Sequence, residues 1–188
     1  MAEIIAETAR LVLRREIDGD QASWLAHINT PQVMACLGGP HSADKVAESF
    51  ARMAAAHAAG GLPFALVARK RDGVLIGKCG LATITESAAP GELRGQPQVG
   101  WTLRADCWGQ GYAREAAEAV LDLAFGHHAL PVVYAQTSDS NVPSWRLIER
   151  LGMTRRAELD YTDPDYPPQD NPTKVYALDH TAWRERRA

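Results

Sequence analysis

The stretch Gln98–Phe125, QVGWTLRADCWGQGYAREAAEAVLDLAF, restricts the fold more than any other part of the chain. Gln98–Leu103 reads as a strand, and Trp108-Gly109-Gln110-Gly111-Tyr112-Ala113 leads from it into a helix over Tyr112–Phe125. Along that helix Ala113, Ala116, Ala117, Val120, Leu121 and Ala124 make one apolar stripe, while Arg114, Glu115, Glu118 and Asp122 are expected to face out. The first amides of a helix lack intrahelical partners and lie at the positive end of its dipole. Gly109 and Gly111 have no Cβ, so an anion can approach the backbone closely there. The same two glycines also suit a tight turn with no ligand, and the pair alone leaves both readings open.

The remaining patterns place this unit in a mixed α/β domain. Arg10–Arg15 reads as a strand and Asp18–Ile28 as a helix with an acidic cap and Trp24, Leu25 and Ile28 on one side. After the breaker Gly38-Gly39-Pro40, Ser42 or Asp44 opens a helix with Val46, Phe50, Met53, Ala54 and His57 at helical spacing. Phe64–Arg69 and Val74–Thr85 flank Arg71-Asp72-Gly73, a hairpin turn. Ser87–Pro97 is expected to be a polar loop. Beyond the glycine turn come a strand at Val132–Thr137, a helix over about Pro143–Leu151, and two strands at Thr154–Tyr161 and Thr173–Leu178. The order predicts one domain over residues 1–188, a mostly antiparallel mixed sheet with helices on its faces.

Composition narrows the partners. The 188 residues carry a formal net charge of -3, without the basic excess of a nucleic-acid binder. The three cysteines, Cys36, Cys79 and Cys107, form no C-x-x-C pair, which suits a reducing compartment and gives no metal framework. No segment has the apolar length of a signal peptide or a membrane span, so the expected location is cytoplasmic. The histidines show no metal spacing, and His127-His128 falls where a helix C-terminus favours positive charge.

A dinucleotide-binding turn is the rival reading of the glycines, and it fits poorly. The third glycine of G-x-G-x-x-G would fall on Arg114, and Arg104–Trp108 separate the strand from the first glycine. The segment instead resembles the acetyl-CoA motif of the GNAT N-acetyltransferase superfamily, with Gly111 and Ala113 at its last fixed positions. Trp108 departs from the Arg or Gln usual at its first position, and W-G-x-G-Y-A resembles the RimJ/RimL type of ribosomal-protein N-terminal acetyltransferases. Thr8–Arg14, the Leu75-Ile76-Gly77 and Cys79-Gly80-Leu81 pieces, Asn141–Met153 and Val175–Trp183 resemble further segments of that branch, in the right order.

The resemblance implies acetyl-CoA as co-substrate, with no metal, and transfer of an acetyl group to a primary amine by direct attack in a ternary complex. The acceptor would be a small-molecule amine or a protein N-terminus, such as that of a ribosomal protein, and a homodimer is compatible with the branch. It implies that Trp108, Gly109, Gln110, Gly111, Tyr112, Ala113 and Arg114 hold the diphosphate. Trp101, Thr102 and Leu103 would line the thioester, with a backbone N–H near Trp101 or Thr102 donating to its carbonyl. Asn141, also suited to cap its helix, would meet the pantetheine arm. The tyrosine that protonates the leaving thiolate in many relatives is Ile148 here; Ser144, a turn earlier, is the candidate acid or thiol-positioning group. Asp160 is the candidate base, with Glu86 and Glu92 behind it, while Gln98 stands where some relatives carry Glu. The acidic stretch Asp160–Asp170 is a solvated loop or a lip for a cationic amine. The alternative function is a non-catalytic acyl-CoA-binding module on the same fold.

Overall fold

A computed structural model describes residues 2–187. In chain order the strands and helices are β1 (Ile4–Glu7), β2 (Leu11–Arg14), α1 (Asp20–His27), α2 (Ala43–Ala58), β3 (Ala65–Arg69), β4 (Leu75–Thr83) and β5 (Pro97–Leu103). They continue as α3 (Tyr112–Asp122), β6 (Val132–Thr137), α4 (Val142–Arg150), β7 (Thr154–Arg155), β8 (Lys174–Asp179) and α5 (His180–Arg187). The strands form an eight-stranded sheet in the order β1-β2-β3-β4-β5-β6-β8-β7. β5 and β6 pair in parallel at Gln98↔Tyr134, as their helical connection through α3 requires. The pairs β1–β2, β2–β3, β3–β4, β6–β8 and β7–β8 are antiparallel. The residues group into two compact units, 2–81 with 100–120, and 82–99 with 121–187.

In the first unit, α1 and α2 bury Trp24, Ile28, Val46, Phe50 and Met53 with Leu66 and Leu75 of the sheet, and the Trp24 and Phe50 rings meet edge-on at 6.1 Å. The helical spacing of these residues makes that face. Ser42 caps α2 by accepting the Lys45 N–H at 3.2 Å. The acidic cap expected for α1 is absent. Gly19, in a left-handed conformation, holds the N-cap position, and Asp20 turns inward to a buried bidentate pair with Arg14 at 2.7 and 3.0 Å. Asp20 also accepts the Ile17 N–H at 2.8 Å, so one carboxylate joins β2 to the entry of α1.

The second unit pairs β6 with β8 from Val132↔Asp179 to Thr137↔Lys174. Ile84, Ala89, Leu93, Leu159 and Val175 form its core cluster, so the loop expected to be merely polar buries Ala89 and Leu93. The strand expected at Thr154–Tyr161 pairs for only two residues before a helical turn at Ala157–Leu159, and Tyr161 returns as a single bridge to Thr173. Arg155 and Asp160 form an ion pair across that turn. Two elements lie outside the sequence-based expectation. β1 is four residues long with Ile4 53% exposed, and its pairing with β2 defines it. α5 is strongly polar; it is opened by Asp179, which accepts the Ala182 N–H at 2.8 Å, and anchored by the buried Trp183. Among the described residues no helix is long and apolar enough to cross a membrane.

Removing one partner of a buried ion pair leaves the other charge uncompensated. Asp20→Ala is therefore expected to destabilise the protein by about 3–5 kcal/mol, read by urea unfolding, and Asp20→Asn by less.

Candidate functional site

The glycine turn belongs to the first unit. From β5 the chain passes through a single helical turn, Ala105–Cys107, and reaches Trp108. The Trp108 indole N–H donates to the Leu103 carbonyl at 2.9 Å, and its amide donates to Ala105 at 3.2 Å, so this residue folds the turn back onto β5. The Gln110 side chain donates to the Asp106 carbonyl at 2.9 Å and is thereby directed into the turn. Gly109 and Gly111 have φ of 72° and 79°, left-handed values that explain why glycine stands at both positions. Tyr112 is buried, Ala113 is partly buried and Arg114 is exposed, paired with Glu118 at 2.8 Å. Among the described residues the amides of Gly109, Gln110, Gly111, Tyr112, Ala113 and Arg114 have no acceptor; the Glu115 N–H is the first to bond, to Gly111 at 3.1 Å. The free donors thus begin one residue later than Trp108, whose amide is already used.

Glu115 does not face solvent as the helical pattern suggests. Its carboxylate accepts the Thr8 hydroxyl at 2.5 Å, the Arg10 N–H at 2.8 Å and the Arg10 guanidinium at 2.6 Å. Arg10 also donates to the Gln110 carbonyl at 2.9 Å and lies over the Tyr112 ring at 4.5 Å. Burial raises the Glu115 pKa, but the hydrogen bonds from Thr8 and Arg10 outweigh it and hold the carboxyl below its ordinary range. This clamp fixes the start of α3 against the connection between β1 and β2. It joins residues more than 100 positions apart, so no local sequence pattern reveals it.

β4 and β5 approach closely beside the turn. A Cβ on Gly77 would lie 2.1 Å from the Thr102 carbonyl oxygen, and one on Gly80 would lie 2.3 Å from the Phe64 Cα. These contacts are the physical reason for both glycines of the LIG-x-x-GL run. Thr102 and Leu103 are buried and Trp101 is partly so. Cys79 and Cys107 are buried thiols; burial pushes Cys79 up to about 12 and raises Cys107 also, so neither is a reactive thiolate. His57 is a core residue whose Nε2 donates to the Phe64 carbonyl at 3.0 Å, and burial lowers its pKa.

In the second unit, Asn141 takes the N-cap position of α4 without a side-chain capping bond, and Pro143 sits one residue further in than expected. The Ser144 hydroxyl has no hydrogen-bond partner among the described residues. The Thr137 hydroxyl and the Trp145 indole N–H are buried without partners. Orphaned buried polar atoms of this kind on either side of Asn141 suit a bound polar chain. Ile148, which stands at the family's tyrosine position, is 1% exposed and belongs to the core.

The acidic candidates are mostly committed to structure. Both Asp160 oxygens bond to Arg155, one at 2.6 Å, and Oδ1 also accepts the Val175 N–H at 3.1 Å. Asp163 is buried and accepts the Asp165 N–H at 3.0 Å, while Asp170 accepts the Ser140 hydroxyl. Within the stretch Asp163 and Asp170 are buried and engaged, while Asp165 is exposed. Glu86 accepts the Thr85 N–H at 2.9 Å, and Glu92 is exposed. Tyr161 donates to Gln136 at 2.7 Å, which donates to Gln98 at 2.8 Å, and burial, then Glu86, raises the Tyr161 pKa. Among the described residues no group of three His, Cys, Asp or Glu side chains is placed to hold a metal.

Comparison with known proteins gives the family and the fold. Residues 10–154 match the acetyltransferase (GNAT) domain family. The chain is 29% identical over 149 residues to protein YkkB of Bacillus subtilis, covering 78% of this chain and 83% of that one. It superposes on an acetyltransferase from Agrobacterium tumefaciens with a TM-score of 0.74 at 26% identity, covering 92% of each chain. It shares its fold with the ribosomal alpha-N-protein acetyltransferase RimL in complex with coenzyme A, with a TM-score of 0.74 at 15% identity, covering 96% of this chain and 99% of that one. The chain belongs to the GNAT acetyltransferase family.

The clamp should be measurable by itself. Glu115→Gln is expected to cost about 1–2 kcal/mol at neutral pH, because it weakens charge-assisted bonds at a partly buried site. A depressed carboxyl pKa stabilises the fold above its ordinary value of 4.5 and loses that contribution as the pH falls through the folded value. The gap between wild type and variant, followed by unfolding at several pH values, should therefore close in acid.

Proposed function

We propose that the protein transfers an acetyl group from acetyl-CoA to a primary amine. The observation that carries this reading is the run of six amides from Gly109 to Arg114, in the turn and the start of α3, that have no acceptor among the described residues. A diphosphate satisfies such donors and the dipole behind them together. Arg10 and Glu115 hold the turn in place before the ligand arrives, so binding orders little new backbone.

Acetyl-CoA supplies a thioester whose acyl carbon the amine attacks, forming a C–N bond as the C–S bond breaks. A main-chain N–H at Trp101 or Thr102 is the proposed donor to the carbonyl oxygen as it gains charge. Asn141, with its amide not used for capping, is proposed to bond the pantetheine arm. The unengaged Ser144 hydroxyl is proposed to donate to the departing thiolate in place of the tyrosine that Ile148 replaces. Asp160, already bonded to Arg155 and the Val175 N–H, is proposed to tie that turn to β8 rather than to accept the amine's proton. The amine's proton passes to water, which suffices for an α-amine with a pKa of about 8. A protein N-terminus, the acceptor named for RimL, fits that requirement better than a lysine of pKa about 10.4.

Coenzyme A is expected to raise the melting temperature where NAD does not, by a stabilisation of about 2.7 kcal/mol at one hundred times its Kd. Gly111→Val, forced into a left-handed conformation against Arg10, should abolish most of that shift. Ser144→Ala should lower kcat for thiol release by about tenfold or more while leaving the KM for acetyl-CoA near wild type. Tight CoA binding with no thiol release across a broad amine panel would favour the non-catalytic binding module instead.

A further inference from the structure

Lys78, near the middle of β4, is a cation without an anion. Its side chain is partly buried, with Nζ 5.1 Å from the centre of the Trp24 ring and 4.7 Å from that of Phe64. Among the described residues no carboxylate is paired with it, and the charged group that acts on it most is Arg52, of the same sign. His41 stands near, held by two hydrogen bonds between its backbone and the Asn29 side chain at 2.7 and 2.8 Å, and it feels both Lys78 and Lys45. The acid in this region, Glu48, is exposed and turned toward Arg52 at 3.8 Å.

Holding an ammonium here is costly. Aromatic faces return only part of the hydration an ammonium loses, and like charges nearby add to the cost. Burial and Arg52 push the Lys78 ammonium down to about 8, so at pH 7 most of it still carries its charge. A purely structural lysine would carry its ammonium fully into water or to a carboxylate; this one is half-covered by two rings and has no carboxylate partner among the described residues.

Its position connects it to the reacting strand. The Phe64 ring that forms one wall of the cage also lies against Gly100 of β5, where a Cβ would be 3.0 Å from the ring edge. Gly100 directly precedes Trp101 and Thr102, the residues proposed to meet the thioester. One aromatic ring therefore separates an unpaired ammonium from the strand at which transfer is proposed.

We infer that Lys78, walled by Trp24 and Phe64 and backed by His41, is a subsite for a carboxylate carried by the acceptor amine. This assignment rests on the acetyl-transfer reading for its place beside the reaction, though its ligand chemistry can be tested separately. The carboxylate could be the α-carboxylate of a free amino acid or an acidic side chain close to a peptide N-terminus. Both present the same singly charged group to a compact ammonium.

Two pairs of acceptors distinguish these sources: serine against serinamide, and the amidated dipeptide Ser-Asp against Ser-Asn. Wild-type protein is expected to show a KM at least about tenfold lower for the carboxylate member of one pair, equivalent to a single good charge contact. Lys78→Met should abolish that preference while leaving kcat, the KM of the uncharged member and the CoA affinity within about twofold. Lys78→Arg should retain most of the preference, and unchanged melting of both variants would show that the fold is intact. Equal KM values within both pairs on wild type, or a preference that survives Lys78→Met, would overturn the subsite. So would a loss of kcat with the uncharged member, which would make Lys78 a base. Calorimetric titration of the same four compounds decides the question even without turnover. A failure of CoA to bind would bring down the acetyl-transfer reading, whereas carboxylate binding that depends on Lys78 would stand.

Discussion

The glycine turn depends on one carboxylate. Glu115 gathers the Thr8 hydroxyl, the Arg10 amide and the Arg10 guanidinium, and through Arg10 it reaches the Gln110 carbonyl and the Tyr112 ring. Free amides at a helix start would otherwise fray or find water, because nothing within the helix holds them. Here the carbonyl side of the turn is occupied by Arg10, the indole and amide of Trp108 brace its entry, and the amide side remains open. That division leaves the amides available to the anion proposed above. Donors face one way, and the acceptors that might compete for them are already engaged.

Much of this was legible in the sequence because it rests on local rules. The positions of Gly109 and Gly111, the Ser42 cap, the Asp72-Gly73 turn and the whole of β6 each follow from backbone conformation or periodicity over a few residues. The missing parts involve partners distant in the chain. Glu115 looks like any exposed helical acid until the β1–β2 connection lies beside it, and Asp20 looks like an ordinary helical acid until Arg14 faces it. β1 and α5 have too little apolar pattern to announce themselves; pairing and one tryptophan hold them. The strand expected at Thr154–Tyr161 failed for the same reason in reverse. Its alternation was cut by a helical turn at Ala157–Leu159, bridged by the ion pair between Arg155 and Asp160.

The acid residues illustrate how composition can mislead about chemistry. Asp160, Asp163 and Asp170 cluster in sequence near a tyrosine, as a proton-accepting lip would, yet each is consumed by a guanidinium, a main-chain N–H or a hydroxyl. Less conspicuous groups are chemically unengaged among the described residues, among them the Ser144 hydroxyl, the Asn141 amide and the caged Lys78. Availability, rather than charge, separates functional candidates from scaffold in this chain.

The C-terminal helix has a practical consequence. Trp183 and Arg187 both reach Asp122, at 3.0 and 3.1 Å, and the His180 ring stacks on Phe125 at 5.9 Å. A protease nicking the chain just after Asp179 would uncover an aromatic ring together with a carboxylate stripped of its donors. Trimmed protein would therefore tend to self-associate through that exposed face while its glycine turn kept the same set of bonds.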